Sequence, residues 1–174
     1  MIMSPGVRKV VLTTHVATSV GLLGSIAAFL ALATVAITTS DDVGLRAAYV
    51  AMNIVARIVI LPLALAALLS GVVQALGTSW GLLRHYWVVF KLLITSFATA
   101  ILLIKMTLIA EGARLAAQTV LPRNELGAFG PQLVVHASVG LLVLIIPLIL
   151  SIYKPQGKTP YGWRKQQTHQ AETL

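Results

Sequence analysis

Four mostly apolar runs, at about 10–37, 47–76, 87–110 and 133–153, constrain this chain more than any other feature. A helix of about 20 apolar residues crosses the roughly 30 Å hydrocarbon core of a bilayer, and each run reaches that length. Charged residues make up 10% of the chain, against about 25% for a soluble domain, and the mean hydropathy is +0.89. The expectation is an all-α fold: one domain of four transmembrane helices in an up-down-up-down bundle, with a basic tail at 154–174.

The connections support that order. Ser40, Asp41 and Asp42 precede the second run and form an N-cap signal in a link short enough to make the first two helices antiparallel neighbours. Pro62 lies inside the second run and is expected to free a carbonyl and kink the helix. Gly77 ends that run. The segment 111–132 reads as the longest connection, its first half able to continue the third helix and its Pro122 and 127–131 stretch breaking any helix. The tail, with Pro155, Gly157 and Pro160, reads as flexible. The N-terminal Arg8 and Lys9 resemble the start of a signal peptide, but the apolar run behind them far exceeds the roughly 7–15 residues of a signal core. It reads as an uncleaved first span.

Charge sets the orientation. Arg8, Lys9, Arg84, Lys91, Lys154, Lys158, Arg164 and Lys165 fall on one side of the membrane with only Glu172 against them. Arg46, Arg114 and Arg123 fall on the other with Asp41, Asp42, Glu111 and Glu125. Lys and Arg near span ends mark the cytoplasmic side, so both termini are expected there. The stretch 80–91 between the second and third spans is then a cytoplasmic anchor: Arg84 and Lys91 hold orientation, and Trp80, Tyr86 and Trp87 sit at headgroup level. The net charge of +8 could suit nucleic acid, but the basic residues flank apolar runs instead of clustering on a soluble face, so no nucleic-acid partner is expected.

Several chemistries are disfavoured by residues the chain lacks. There is no cysteine, which removes disulfides, iron–sulfur clusters and thiolate metal sites. No Asp or Glu lies within a span, so carboxylate proton relays and carboxylate-bridged di-iron sites lack their essential groups. Neither a phosphate-cradling glycine loop nor an HExxH pair is present. Arg57 and Lys105 are the intramembrane charges; both lean toward the outer side, where snorkelling competes with an anion site. Along the first run, Thr14, Thr18, Gly21, Ser25 and Ala28 form a small-residue seam suited to close helix packing.

Histidines are the remaining candidates for cofactor binding, since a neutral imidazole ligates haem iron and copper. His15 and His136 lie in opposite halves, some 15 Å apart in depth at roughly 1.5 Å per residue, too far to share one metal. His15 and His85 both belong to the cytoplasmic half and pair only if the third helix begins deeper than its aromatic belt implies. The competing reading is structural, with His15 hydrogen-bonded across helices, His85 interfacial and His136 satisfying a carbonyl freed by a kink. His169 lies in the tail.

The run Gly77-Thr-Ser-Trp-Gly-Leu-Leu-Arg-His-Tyr-Trp-Val-Val-Phe-Lys, the early Thr14-His15-Val16 and the closing Ser151-Ile-Tyr-Lys-Pro-Gln-Gly-Lys-Thr-Pro-Tyr-Gly-Trp-Arg-Lys resemble an uncharacterised family of small bacterial four-helix integral membrane proteins. The likeness covers nearly the whole chain and implies a multi-pass protein of the bacterial inner membrane. More distantly, the early histidine before a glycine-containing helix is similar to copper-resistance D and four-helix b-type cytochrome membrane domains. The leading expectation is a protein that acts by packing in the lipid bilayer with itself, as a homo-oligomer, or with a membrane-protein partner. One alternative is a haem b or copper protein using His15 and His85, with His136 as a separate or intersubunit ligand. The other is a small anion channel or transporter using Arg57 and Lys105. No catalytic residue is assigned, and whether the chain is an enzyme stays open.

Overall fold

The computed structural model describes residues 3–78, 81–121, 123–155 and 157–171; Trp80 lies outside them, as does the side chain of His169. Helix α1 spans Pro5–Thr38, α2 Asp42–Val55 and α3 Leu61–Leu76, the last two joined by one π-helical turn at Ala56–Ile60. Helix α4 spans Tyr86–Ala116, α5 Arg123–Tyr153 and α6 Pro160–Ala171. Four helices, at Pro5–Thr38, Asp42–Leu76, Tyr86–Ala116 and Arg123–Tyr153, are long and apolar enough to cross a membrane. Their outer faces carry large exposed apolar side chains along the whole length, among them Val20, Ile58, Leu69, Phe97, Ile104 and Leu142. Such a surface is stable against lipid and not against water. The chain is an all-α, multi-pass integral membrane protein.

Helix starts follow local chemistry. Pro5 opens α1 behind Ser4, whose hydroxyl accepts from the Val7 amide at 3.5 Å. Asp41 caps α2 by accepting from the Gly44 amide at 2.7 Å. The π turn sits directly before Pro62: the Leu61 amide reaches back to the Ala56 carbonyl, and one widened turn accommodates a residue that cannot donate.

The four spans close into a ring. Helix α1 packs against the α2–α3 span and α5, and α4 packs against the same two neighbours from the opposite side. Both described chain ends meet at one pole, the tail pole, where the Met3 amide donates to the Gly77 carbonyl at 3.0 Å and the Tyr86 amide to the Gly157 carbonyl at 3.3 Å. At the other pole, the acidic pole, two arginines tie the loops. Arg46 donates to the carbonyls of Ala116, Gln118 and Thr119 at 2.6, 2.5 and 3.1 Å, closing the end of α4. Arg123 pairs with Asp42 and donates to the Ser40 carbonyl at 2.6 Å.

The main core lies toward the acidic pole around Tyr49, which is 1% exposed and donates its hydroxyl to the Leu126 carbonyl at 2.8 Å. Glycines make room for it. A Cβ on Gly112 of α4 would stand 3.0 Å from the Tyr49 ring, and one on Gly130 of α5 only 2.5 Å from Ile37. A smaller cluster of Ala75, Trp87 and Val88 closes the tail pole.

Three elements differ from the sequence expectation. Helix α5 starts at Arg123 instead of near 133 and carries Pro131 inside it. Leu126 and Gly130 pack on Tyr49 and Ile37, and this packing offsets the roughly 3 kcal/mol that an interior proline costs an isolated helix. The seam on α1 is only part of its packing face: Thr18 and Ser25 are half-buried and a Cβ on Gly21 would stand 3.3 Å from Leu63 of α3. Thr14, Gly21 and Ala28 are exposed, and the buried stripe beside them is Leu22, Phe29, Ala33 and Ala36. The tail holds helix α6 instead of a flexible chain. Thr159 is 8% exposed, donates its hydroxyl to the Leu83 carbonyl at 2.6 Å and its amide to the Arg84 carbonyl at 3.0 Å, and accepts from the Gly162 amide at 3.1 Å.

Docking of α6 depends on Gly162, because a Cβ there would stand 2.4 Å from the Arg84 carbonyl oxygen. Backbone at both sides leaves nothing soft to yield. Changing Gly162→Ala is expected to release α6, seen as faster tryptic cleavage after Arg164 and Lys165, while bundle stability stays within about 0.5 kcal/mol.

Candidate functional site

Between the main core and the tail pole the spans part around a cavity of about 210 Å³. All four spans contribute to its wall. Apolar residues supply most of it, including Leu22, Leu68, Val72, Leu92 and Leu144. The polar residues are His15 and Ser19 from α1, Gln74 from α3, Lys91 and Thr95 from α4, and Ser151 from α5, with Thr78 beyond the end of α3.

His15 is ten residues past Pro5 in α1, about 15 Å along the helix axis. Its Nδ1 lies 3.0 Å from the Ala67 carbonyl oxygen and 3.2 Å from Ser70 Oγ. A carbonyl only accepts, and the Ser70 hydroxyl already donates to the Ala66 carbonyl at 2.6 Å. Nδ1 therefore carries the proton, and Nε2 keeps the lone pair. The ring rests on Gly71, where a Cβ would come to 3.0 Å from His15 Cε1. Helix α3 thus both orients the imidazole and leaves space for it.

Lys91 enters from α4, five residues past its first residue. Its ammonium donates to Ser151 Oγ at 2.5 Å and lies 5.6 Å from the Trp87 ring centroid, within reach of a cation–π attraction. Ser151 donates in turn to the Pro147 carbonyl at 2.8 Å, so its oxygen meets Lys91 as an acceptor. Gln74 Oε1 is buried without a hydrogen-bond partner. Among its described polar groups the cavity presents one cation, Lys91, and two acceptors, His15 Nε2 and Gln74 Oε1, beside the Gln74 amide N–H groups and the hydroxyls of Ser19, Thr78 and Thr95, within apolar walls.

The other sequence candidates lie elsewhere. His85 is not among the cavity-lining residues; it stands at the N-cap of α4 and bridges Lys158 of the tail. His136 Nδ1 contacts the Gln132 carbonyl of its own helix at 2.5 Å. Arg57 is exposed on its helix and donates to Asn53 Oδ1 at 3.0 Å, and neither it nor Lys105 lines the cavity. Among the described residues no group of three or more His, Asp or Glu side chains is placed to hold a metal. Tyr86 is 48% exposed at the tail pole, Trp87 is buried against Ala75 and Val88, and Arg84 folds over Gly81.

Reading Lys91 from sequence as an interfacial anchor missed its place beside His15. The available signal was depth: His15, Ser70, Gln74, Lys91 and Ser151 all lie in the half of their spans nearest the tail pole, on four different spans. No protein-family model, curated protein or solved structure matches the chain, so the site's own chemistry carries the functional argument.

The imidazole tautomer is directly measurable. In ¹⁵N-histidine spectra, His15 is expected to show a protonated Nδ1 and an unprotonated Nε2. Changing Gly71→Ala, which pushes on Cε1, is expected to move both resonances while His136 stays in place.

Proposed function

We propose that this is a bacterial inner-membrane binding protein that takes a small amphiphile from the bilayer into the cavity among its four spans. One observation carries the reading: His15, Gln74 and Lys91 converge from three different helices on an apolar-walled cavity and leave acceptor and donor capacity unused there. Unused polar groups in hydrocarbon are costly, and a ligand that completes them recovers that cost. An apolar cavity with a few convergent polar groups is the usual form of a small-molecule site.

The charge pattern supports a cytoplasmic tail pole. Arg8, Lys9, Arg84, Lys154 and Lys158 flank the spans there, and the acids Asp41, Asp42, Glu111 and Glu125 cluster at the acidic pole. A second reading, packing with another copy or with a membrane partner, is favoured by the exposure of Thr14, Gly21 and Ala28 along α1. The haem or copper alternative has less support, since among the described residues the cavity supplies one imidazole and no other ligand of the His, Asp, Glu or Cys type. An anion path through Arg57 and Lys105 has less support, since Arg57 is exposed and donates to Asn53, and neither residue lines the cavity among the four spans.

Two measurements test the reading. Native mass spectrometry of the protein extracted in mild detergent is expected to show a retained small molecule, which Ser19→Leu, filling the cavity, removes; a ligand-free wild type contradicts the proposal. Because the chain has no cysteine, single cysteines can be introduced without a background. Lys158→Cys is expected to be shielded from impermeant maleimide in intact cells and Glu125→Cys to be labelled, and the reverse pattern would invert the topology.

A further inference from the structure

The cavity's polar groups do not balance one another, and the imbalance describes a ligand. Among the described residues Lys91 has no carboxylate beside it: no described Asp or Glu lines the cavity, and Asp42 and Glu111 are engaged at the acidic pole with Arg123 and Arg114. Its described partners, Ser151 Oγ and the Trp87 ring, are both uncharged. A charge within a membrane protein is stabilised by an opposite charge, and a charge-assisted bond to an anionic oxygen is the strongest this ammonium can make.

An anion alone satisfies only half of the site. His15 Nε2 and Gln74 Oε1 both accept, and a fully ionised carboxylate or a phosphodiester brings them no donor. The matching group is an anion that also carries an O–H. A phosphate monoester in its singly charged form has both: anionic oxygens for Lys91 and one P–OH for an acceptor.

The walls show where the rest of that molecule goes. Val16 and Val20 of α1 and Leu148 of α5 line the cavity, yet are 50%, 57% and 41% exposed. They form an apolar rim between two neighbouring helices that faces lipid. A free phosphate ion gains nothing from such a rim, whereas an acyl chain leaving through it stays in hydrocarbon.

We propose that the ligand is a lipid with a phosphate monoester headgroup, its anionic oxygens on Lys91, its P–OH on His15 or Gln74, and its chain leaving between α1 and α5. This rests on the cavity being a ligand site. Recognition is by the headgroup, and the bilayer supplies the molecule.

The test uses the full chain in neutral detergent, titrated by native mass spectrometry with phosphatidic acid, with phosphatidylmethanol, which keeps a negative charge but lacks the P–OH, with phosphatidylcholine and with inorganic phosphate. Phosphatidic acid is expected to bind about tenfold or more tighter than phosphatidylmethanol, a difference of about 1.4 kcal/mol. Lys91→Met is expected to weaken both anionic lipids toward the level of phosphatidylcholine and Lys91→Arg to keep them, which separates loss of charge from loss of fold. His15→Phe combined with Gln74→Met is expected instead to remove the preference for phosphatidic acid over phosphatidylmethanol. Equal binding of the two anionic lipids would overturn the proposal. Inorganic phosphate binding as tightly as phosphatidic acid would overturn its lipid source, and phosphatidic acid bound equally by wild type, Lys91→Met and Ser19→Leu would mark surface lipid and overturn it as well. A different molecule retained by wild type and lost in Ser19→Leu, with phosphatidic acid unbound, would reject this headgroup while leaving the binding function intact. No retained molecule of any kind would reject both.

Discussion

Helices in a bilayer gain little from burying apolar surface against one another, because lipid is as apolar as leucine. What holds them is close fit and internal hydrogen bonding, and here both centre on Tyr49. Its ring lies where α4 and α5 carry Gly112 and Gly130, and its hydroxyl meets the Leu126 carbonyl. Ala33, Met52, Ala56 and Ala116, each wholly buried, belong to the same core cluster. The rest of the bundle is arranged from this point, including the extra turns of α5 that continue through Pro131.

The two poles are built on opposite chemistry. At the acidic pole, Arg46 and Arg123 are consumed by carbonyls and by Asp42, which ties the loops together. The tail pole has cations without intramembrane acids, and it is fastened by backbone bonds from Met3, Gly157 and Thr159 to the loop before α4. Those bonds fix the chain just ahead of Trp87 and Lys91. A second cavity, of about 250 Å³, lies at the acidic pole beside Arg123, but the cavity nearer the tail pole is the one that gathers His15, Gln74 and Lys91.

Depth along each span was legible from residue number alone, but direction around the helix was not. The small-residue stripe of α1 was visible in the sequence, yet the buried face proved to be the neighbouring stripe of Leu22, Phe29, Ala33 and Ala36, because partners on α2, α3 and α5 choose the face. The same limit applied to Lys91, which a positive-inside count treats as an anchor and which packing turns inward to Ser151. Helix α6 was partly legible: Thr159-Pro160 is an N-cap followed by a first-turn proline, a local signal outweighed by the polar composition of the tail. The start of α5 was not legible, since Pro131 argues for a break and only contact with Tyr49 and Ile37 overrides it.

The sequence by itself determined the solvent, the number of spans, their order and the distribution of charge between the poles, because these depend on hydrophobic length and composition, which are local and additive. Only the tertiary structure decided that His15, Gln74 and Lys91 share one cavity while His85, His136, Arg57 and Lys105 lie apart. That outcome depends on how each helix is rotated about its axis, and rotation is set by contacts between residues far apart in the chain, such as Tyr49 with Gly130 and His15 with Gly71.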